Sequence, residues 1–420
     1  MITKAVRMYG KNDLRIEEFE LPAIRHDEIL ATLITDSVCM SSHKAAAQGA
    51  DHKRVPDDVA ENPVIIGHEF CGEILEVGSK WADTFSPGQR FTIQPALNYK
   101  GSQDAPGYSY QYIGGNATKI IIPNEVMEMD CLLPYNGSSF FMGSLAEPMS
   151  CIVGTYHAMY HVKQGTYDHK MGIAENSNMA ILAGAGPMGL GSIDYALHSD
   201  RRPKLLVITD IDQSRLDRAA ELFTPEHAAE QGVRLMYINT STLDNPVEDL
   251  IRLTDGVGFH DVLVMAPVRP LVEQGDALLA KDGCLNFFAG PNSPDFSAAL
   301  NFYNVHYLGH HLVGTSGGNT DDLRESLELM EQGLINPSGM ITHIGGMNAV
   351  PETVINLPSI PGGKKLIYNH IDMPLTAIED FAEAGKKNPL FADLHEIVQR
   401  HNGLWCEEAE KFLLERAKSI

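Results

Sequence analysis

The apolar positions in the first 155 residues form short runs separated by turn-forming residues. Four such runs are Ile29–Ile34, Ile74–Val77, Arg90–Ile93 and Lys119–Ile122. Glycine and asparagine stand between them, as at Gly114-Gly115-Asn116, and this pattern is typical of short β-strands joined by tight turns. No helical periodicity alternates with these runs, so the pattern predicts an irregular β-barrel here.

From about residue 156 the pattern changes, because apolar runs now alternate with amphipathic segments. The runs predicted as strands are Met179–Ala183, Leu205–Asp210, Arg234–Ile238, Asp261–Met265, Gly283–Ala289 and His311–Gly314. Helices are predicted between them at 213–223, 246–253 and 270–281. Such alternation favours a parallel, doubly wound α/β sheet over residues 156–315. Residues 335–370 again contain strand-like runs, including KKLIY at 364–368, and residues 371–420 are predicted to be helical.

Composition narrows the choice of partners and compartment. Acidic residues number 55 and basic residues 32, a net charge of −23, which opposes binding to nucleic acid or an anionic membrane. No stretch of 18 uninterrupted apolar residues is present, so no membrane span is expected. The six cysteines have no CxxC pair and no regular spacing. That spacing does not predict a disulfide framework and favours a cytoplasmic protein.

A glycine-rich turn follows the first strand of the α/β segment. Gly184, Gly186, Pro187, Met188 and Gly189 belong to the sequence GAGPMG, which fits G-x-G-x-x-G and opens a helix. Glycines there permit a tight turn, close approach of a pyrophosphate, and close packing of helix on strand. The free N–H groups at the helix start attract phosphate. This combination predicts a dinucleotide site, the alternative being a glycine-rich turn without a ligand.

The next strand ends at Asp210, where a carboxylate can bind the ribose hydroxyls of NAD and repel the phosphate of NADP. Arg215 lies nearby, as does the Arg201-Arg202 pair, and an arginine can accommodate that phosphate. NAD(H) is therefore expected, with NADP(H) left open. A carboxylate that only caps a helix is the alternative role for Asp210.

Four residues with metal-binding side chains are candidates for one site. Cys39 lies in CMSSHK, His68 and Glu69 lie in GHEFCG, and Glu147 lies in LAEPMSC. A thiolate, an imidazole and one or two carboxylates form a reasonable zinc set that leaves a position open for substrate. Taken one at a time, a cysteine is more often a core residue and a His-Glu pair more often a solvated loop.

The whole constellation resembles the medium-chain zinc alcohol dehydrogenases. GHExxG with a later glycine, the earlier cysteine, the AEP segment and GAGPMG occur in that family's order. The chain is similar to the polyol (sorbitol) dehydrogenase branch over most of residues 1–370. The resemblance implies an α/β protein with a GroES-like β-barrel catalytic domain over 1–155, to which 316–370 return. It also implies a Rossmann nucleotide-binding domain over 156–315 and a helical C-terminal extension over 371–420.

The resemblance also implies roles for the candidate ligands. By position, Cys39, His68 and Glu69 would bind zinc, and Glu147 would be a fourth ligand or would hold the zinc-bound water. Many family members carry four closely spaced cysteines for a second, structural zinc. The corresponding stretch here, 93–115, contains no cysteine, so one catalytic zinc per chain is expected.

The expected chemistry is hydride transfer between nicotinamide and an alcohol or ketone, with zinc as the Lewis acid. Ser41 matches the family's proton-relay hydroxyl. The family often has a histidine five residues past the cysteine, where this chain has Lys44, with His43 one position before it. Either side chain can end the relay, and simple surface polarity is the alternative for both.

The substrate is suggested by loop segments. The run Asp51–Pro56 (DHKRVP) is locally basic and, with Lys44 and Lys100, could receive a phosphate; a solvated loop is the alternative. DHKRVP, FTIQPALNYKG, GYSYQYIGGNATK and the C-terminal tail resemble the sorbose-1-phosphate reductases. That resemblance implies interconversion of a ketose phosphate and a hexitol phosphate, such as sorbose 1-phosphate and glucitol 6-phosphate.

Other functions remain open at this point. Within the class, the substrate can be an unphosphorylated polyol such as sorbitol. A zinc-free quinone or enoyl reductase would lack Cys39 and the His68-Glu69 pair, and a non-catalytic NAD-binding protein would not need Ser41. By analogy with relatives, the strand at 311–314 is expected to lie at the outer edge of the sheet. Pairing of two copies at this edge would give a homodimer or a tetramer.

Overall fold

A computed structural model of the chain describes residues 1–291 and 293–420. The strands of the described residues, in chain order, are β1 (Ile2–Gly10), β2 (Asp13–Glu20), β3 (Ile29–Val38), β4 (Val64–Ile65), β5 (Phe70–Val77), β6 (Arg90–Ile93), β7 (Lys119–Ile122), β8 (Leu132–Pro134), β9 (Tyr160–Val162), β10 (His169–Met171), β11 (Asn178–Leu182), β12 (Leu205–Asp210), β13 (Arg234–Asn239), β14 (Phe259–Val264), β15 (Leu279–Phe287), β16 (His311–Gly314), β17 (Ile341–Gly346), β18 (Lys364–Tyr368) and β19 (Thr376–Ala377).

The α-helices, in the same order, are α1 (Met40–Gln48), α2 (Asn124–Glu128), α3 (Phe140–Ala158), α4 (Pro187–His198), α5 (Gln213–Leu222), α6 (Pro225–Glu230), α7 (Pro246–Arg252), α8 (Arg269–Leu278), α9 (Phe302–Leu308), α10 (Thr320–Glu331), α11 (Val350–Asn356), α12 (Phe381–Gly385), α13 (Pro389–Arg400) and α14 (Glu407–Arg416). Among the residues that the structure describes, no helix combines the length and apolar character needed to cross a membrane.

The chain divides into two compact units. The first comprises Met1–Pro148, Asn319–Glu331 and Ser338–Ile420. The second comprises Met149–Gly318 and Gln332–Pro337. The sequence-based division treats 371–420 as a separate extension, whereas these residues belong to the first compact unit. The compact units change at Pro148/Met149 and Gly318/Asn319, and the predicted domain bounds at 155 and 315 remain predictions.

The first unit is built on β-structure, as its pattern of short apolar runs predicts. Its larger sheet has the order β19-β17-β18-β3-β5-β6-β8, with β7 also paired to β3, and a second sheet has the order β2-β1-β4. The four predicted runs are β3, β5, β6 and β7. Strands β3 and β5 are both longer than their apolar runs. In β3 the extension runs through Thr35, Asp36 and Ser37, which are polar yet buried.

The C-terminal residues pack against this sheet. Trp405 is fully buried and shares a core cluster with Leu366 and Tyr368 of β18 and with Phe381 and Phe391 of the C-terminal helices. Burial of these large side chains makes 371–420 part of the first unit's core. The segment 335–370, predicted as strands, contains β17 and β18 with the helix α11 between them.

The second unit contains a six-stranded parallel sheet of order β13-β12-β11-β14-β15-β16. The strand order reverses beside β11, the first strand of the unit's sheet, which is the arrangement of a doubly wound dinucleotide-binding fold. The sequence prediction of a parallel α/β sheet is confirmed. Because ligands of such sheets bind at the carboxyl ends of the strands where the order reverses, a ligand is expected at the turn after β11.

Candidate metal centre

Antiparallel pairing of β3 and β5 brings the two metal-binding motifs together. Asp36, near the end of β3, is opposite Phe70, the first residue of β5. Cys39 follows β3 directly and precedes α1, whereas His68 and Glu69 directly precede β5. The three candidate ligands therefore come from two chain segments that meet at the same end of the strand pair.

Cys39, His68 and Glu69 form a cluster in which one ligand atom from each lies within 4.8 Å of the others. His68 and Glu69 are buried, and Cys39 is partly buried. Thiolate, imidazole and carboxylate are all zinc ligands, and a three-residue set leaves a coordination position for substrate. The donor set thus fits zinc. Among the described residues Glu147 is not part of this cluster.

The electrostatics of the cluster depend on burial and on Glu69. Burial first, and then the Glu69 carboxylate, raise the pKa of the Cys39 thiol. Burial lowers the pKa of His68 and outweighs the opposite effects of Glu147 and Glu69. A buried set of one thiol, one imidazole and two carboxylates is one in which a cation would stabilise the charged thiolate and carboxylates.

Three hydroxyl groups surround the His68 ring. Ser41 Oγ donates to Cys39 Sγ at 3.0 Å and lies 3.2 Å from His68 Nε2. Tyr108 Oη is 3.3 Å from the same nitrogen, and Ser42 Oγ is 3.3 Å from Nδ1. Ser41 therefore lies between two candidate ligands, where a relay hydroxyl would be. Ser42 and Tyr108 were not singled out by the sequence, because serines and tyrosines carry no ligand pattern.

Glu69 already has a cationic partner. Lys364 Nζ of β18 lies 2.5 Å from Oε1 and 2.6 Å from Oε2 of Glu69. Ser37 Oγ also donates to Oε2. Burial would lower the pKa of Lys364, but the carboxylate of Glu69 outweighs it and the pKa is raised. The sequence analysis missed Lys364, although two lysines at the start of the apolar strand KKLIY are a usable signal for a buried charge.

The loop before β5 is held by Asp36. Its Oδ1 accepts from the Glu69 backbone N–H at 3.2 Å, and its Oδ2 accepts from Asn116 Nδ2 at 3.0 Å. Gly67 adopts a φ of +93°, and a Cβ there would lie 2.3 Å from Asn116 Nδ2. A side chain at Gly67 would therefore displace the contacts that orient His68 and Glu69, which is the physical reason for the glycine of GHE.

Glu147 lies on α3, whose N-terminus is capped by a residue from the far end of the chain. Glu410 of α14 accepts from the backbone N–H groups of Phe140 at 2.6 Å and Phe141 at 2.8 Å. Burial and the charge of Glu69 raise the pKa of Glu147 to about 7. The carboxylates of Glu147 and Glu69 thus influence each other, although Glu147 lies outside the three-residue cluster.

The two candidate relay ends differ in their contacts. His43 Nδ1 is 2.9 Å from the carbonyl oxygen of Val354, so the ring is tied to α11. Lys44 is partly buried on α1 and also has an interaction partner. The His43 contact does not involve Ser41, and the end of the relay remains a prediction.

The basic run at 51–56 lies against Tyr108. The His52 ring stacks on the Tyr108 ring with centroids 5.7 Å apart, and the Arg54 guanidinium carbon is 5.3 Å from the Tyr108 centroid. Lys53 is exposed. Lys100 lies elsewhere, with Nζ 4.6 Å from the Tyr99 centroid. Of the run at 51–56, His52 and Arg54 are therefore the residues that contact Tyr108, and phosphate binding by the basic residues remains a prediction.

In the second unit the glycine-rich turn joins β11 to α4. A Cβ on Gly189 would lie 2.1 Å from the Gly184 carbonyl oxygen, so this glycine is needed for packing within the turn. A Cβ on Gly186, by contrast, would meet no protein atom within 4 Å. The space beside Gly186 is open for a ligand to approach the backbone, as a pyrophosphate does. Pro187 begins α4 and Met188 follows it, so the helix start faces this turn.

Asp210 ends β12, beside the turn. Its Oδ2 accepts from the Ala185 backbone N–H at 3.4 Å, and its Oδ1 accepts from the N–H of Ile211 at 2.8 Å. These contacts keep the carboxylate next to the glycine-rich turn. Arg215 lies on α5 and pairs with Asp212 at 3.6 Å. The dinucleotide residues proposed from the sequence are thus brought together, with Arg215 oriented by a different acid.

Comparison with known proteins gives the family. The model of the alcohol dehydrogenase GroES-like domain matches residues 27–130, and that of the zinc-binding dehydrogenases matches residues 187–332. The chain is 51% identical to "Mannitol-1-phosphate 5-dehydrogenase" of Aliivibrio fischeri over 98% of this chain and 97% of that protein. It belongs to the zinc-binding dehydrogenases. As a member of this family it is an oxidoreductase with GroES-like and Rossmann domains.

Two further similarities refine this placement. The dehydrogenase is 49% identical to "L-sorbose 1-phosphate reductase" of Klebsiella pneumoniae, over 100% of this chain and 98% of that protein. Among solved structures, 2R,3R-butanediol dehydrogenase from Bacillus subtilis matches with a TM-score of 0.70 and 18% identity, covering 87% of this chain and 99% of that one. The predicted fold class and the polyol branch are confirmed.

Proposed function

We propose that this dehydrogenase transfers a hydride between NAD(H) and a secondary alcohol or ketone of a sugar phosphate or polyol phosphate, with one zinc ion per chain. The observation that carries the proposal is the buried Cys39–His68–Glu69 cluster, with Ser41 hydrogen-bonded to two of its members. A zinc-free quinone or enoyl reductase, or a non-catalytic NAD-binding protein, would have no need of this set.

The reaction balances without another reactant. In the oxidative direction the C–H hydrogen of the alcohol leaves as hydride to the nicotinamide, the O–H proton leaves toward solvent, and a C=O bond forms. Bound zinc supplies Lewis acidity at the cluster. Ser41 is the hydroxyl placed to accept a proton beside the ligands, and His43 or Lys44 would pass it on.

The protein orients the metal ligands through its own contacts. Asp36 fixes the backbone at Glu69, Ser42 contacts Nδ1 of the His68 ring, and Ser37 and Lys364 hold the Glu69 carboxylate. Such outer contacts keep ligand geometry and tautomer fixed. Glu147 is assigned either to the metal directly or to an intervening water, and its place on α3 outside the cluster supports the second role.

The sugar-phosphate part of the proposal is supported by two relatives of nearly equal length. One is named a dehydrogenase of mannitol 1-phosphate and the other a reductase of sorbose 1-phosphate. At about half identity over nearly the whole chain, a shared class of substrate is expected. Asp210 beside the glycine-rich turn supports NAD(H) over NADP(H).

The deciding experiment measures metal content and NADH oxidation in the purified protein. Ketose phosphates and the corresponding free ketoses are supplied before and after treatment with a strong chelator and after re-addition of zinc. We expect turnover of the phosphates, loss of rate on chelation and recovery with zinc. Chelator-insensitive turnover, or a clear preference for free sorbose or fructose, would contradict the proposal.

The second unit has an exposed apolar surface that supports self-association. Helix α9 exposes Phe302, Tyr303 and Tyr307, and edge strand β16 exposes Leu312. An apolar patch beside an open strand edge favours association with a second copy, so we propose a homo-oligomer, either a dimer or a tetramer.

All six cysteines are free thiols, which supports a cytoplasmic location.

The association is tested by light scattering on wild type and Tyr303→Asp. A charge inside a buried apolar interface is unfavourable, so we expect the variant to have half the mass of wild type or less at the same concentration. Glu248→Gln, on exposed surface of α7, serves as the control. A monomeric wild type would refute this part.

A further inference from the structure

Arg54 is an arginine near the candidate metal centre that has no anionic partner within residues 1–291 and 293–420. Its Nε is buried and makes no hydrogen bond, and among the described residues its side chain forms no ion pair. Other arginines of the same unit, such as Arg15 and Arg324, pair with carboxylates at short distance. The lack of an acid is unexpected in a chain with a net charge of −23.

The Tyr108 ring connects Arg54 with the metal-binding cluster. The Arg54 guanidinium carbon is 5.3 Å from the ring centroid, and the ring centroid of His68 is 4.9 Å from that of Tyr108. Burial, then the charge of Lys364 and then that of Arg54 lower the pKa of His68. The guanidinium is therefore within electrostatic range of a candidate ligand.

The loop that carries Arg54 is held in place. Ser109 Oγ donates to the Arg54 carbonyl oxygen at 2.7 Å, and the Arg54 backbone N–H donates to His52 Nδ1 at 3.3 Å. His52 itself stacks on Tyr108 with an interplanar angle of 10°. Backbone and ring contacts therefore hold the loop that carries the guanidinium.

The chemistry of this group favours phosphate. A guanidinium presents planar, forked donors that match two phosphate oxygens, and such charge-assisted bonds are the strong ones. A buried donor without an acceptor is costly, so a ligand that accepts from it gains binding free energy. An aromatic ring against the guanidinium restricts its rotamers and leaves its edge for the anion.

We propose that Arg54, held against Tyr108, binds the phosphate group of the substrate and is the residue that distinguishes phosphorylated from free sugars. This inference rests on the proposed function, since it names the group that recognises the phosphate at that same site. Arg54 is thus a binding and specificity residue, and Tyr108 positions it.

The test compares wild type, Arg54→Gln, Arg54→Lys and the control Arg15→Gln. Arg15 also lies over a tyrosine ring, 4.2 Å from the Tyr9 centroid, but is on β2 and paired with Asp13. Substrates are L-sorbose 1-phosphate, with the phosphate beside the ketone, D-fructose 6-phosphate, with it at the far end, and the two free ketoses. Thermal unfolding confirms that each variant is folded.

We expect Arg54→Gln to raise KM for the ketose phosphate turned over by wild type on the order of 10- to 100-fold, as loss of a charged hydrogen bond implies. kcat/KM for the free ketose should change less than about threefold. Arg54→Lys should fall between, since it keeps the charge without the fork, and Arg15→Gln should match wild type.

A second readout does not depend on turnover. Inorganic phosphate should raise the melting temperature of wild type, as a ligand of the folded state does, and raise that of Arg54→Gln much less. Equal losses on phosphorylated and free ketoses, or an unchanged KM for the phosphate, would overturn the role of Arg54 alone. A wild type that reduces only free ketoses would instead overturn the proposed function.

Discussion

The ammonium of Lys364 lies 2.5 Å from Oε1 of Glu69, and both side chains are almost completely buried. A carboxylate assigned by sequence to the metal therefore also has an internal cation, contributed by a strand 295 residues further along the chain. The pairing offsets the cost of burying the Glu69 charge. It also means that the metal and Lys364 act on the same carboxylate.

Replacement of Lys364 should destabilise the folded protein. We expect Lys364→Met to lower the free energy of unfolding of the metal-free protein by about 3–5 kcal/mol, because Glu69 would be left buried and unpaired. Glu69→Gln in the same background should recover part of the loss, giving non-additive effects. Urea unfolding of both single variants and the double variant measures this, and additive losses would contradict the coupling.

The metal ligands are tested by stoichiometry. We expect one zinc per chain in wild type, because the stretch where relatives carry a second site has no cysteine. His68→Ala should lose most of the zinc and reduce kcat/KM at least on the order of 100-fold, through loss of a ligand. His401→Ala, an exposed histidine paired with Glu408, is the control for both. Elemental analysis showing two zinc ions per chain would refute the single-site prediction.

Asp210 should set the choice of nicotinamide. We expect wild type to use NADH in preference to NADPH, since the carboxylate favours ribose hydroxyls and repels a phosphate. Asp210→Ser should raise KM for NADH about tenfold, the effect of losing a charged hydrogen bond. The ratio of kcat/KM for NADH to kcat/KM for NADPH should therefore decrease. Asp217→Asn, exposed on α5, should change neither. Steady-state kinetics with both cofactors decides, and an unchanged ratio in Asp210→Ser would exclude this role.

Glu410 should give stability a specific pH dependence. Burial outweighs its hydrogen bonds and raises its pKa from 4.5 to about 7, so the folded state binds a proton more tightly than the unfolded state. Between about pH 4.5 and about pH 7 the folded protein holds more protons, and stability must fall as pH rises through this window. Relative to Glu410→Gln, wild type should lose up to about 3 kcal/mol there.

Denaturation at a series of pH values measures this difference. The exposed neighbour Glu407, which accepts from Ser138 Oγ, supplies the control variant Glu407→Gln, and that variant should follow the wild-type profile. Parallel profiles for wild type and Glu410→Gln would show that the carboxyl group does not titrate in this range.

Much of the fold follows from local pattern. The runs at 205–210 and 364–368 are strands with those bounds in the structure and are buried along their whole length, because a short apolar run between turns has few alternatives once buried. The run at 311–314 is also a strand with its predicted bounds, at the partly exposed edge of the sheet. The pattern was less informative where polar residues are buried. Strand β3 continues through Asp36, and α11 interrupts a segment that was predicted as strands, since burial by distant parts of the chain overrides local preference.

The candidate site divides in a similar way. Cys39, His68 and Glu69 carry ligand chemistry that a sequence displays, and the structure places their ligand atoms together. Ser42, Tyr108 and Lys364 carry common side chains whose roles depend on what they contact. Lys364 has a sequence signal, since it stands at the start of an apolar strand, whereas only their distances to His68 distinguish Ser42 and Tyr108 from other serines and tyrosines.

The sequence by itself determined the family, the glycine-rich turn, and the chemical nature of the ligands, because these depend on residue type and spacing along the chain. The tertiary structure decided which charged residues pair and which side chains orient one another. Lys364 reaches Glu69, Glu410 caps the helix that carries Glu147, and Arg54 lies one aromatic ring from His68. Each of these relationships joins segments far apart in sequence through packing, which no local pattern encodes.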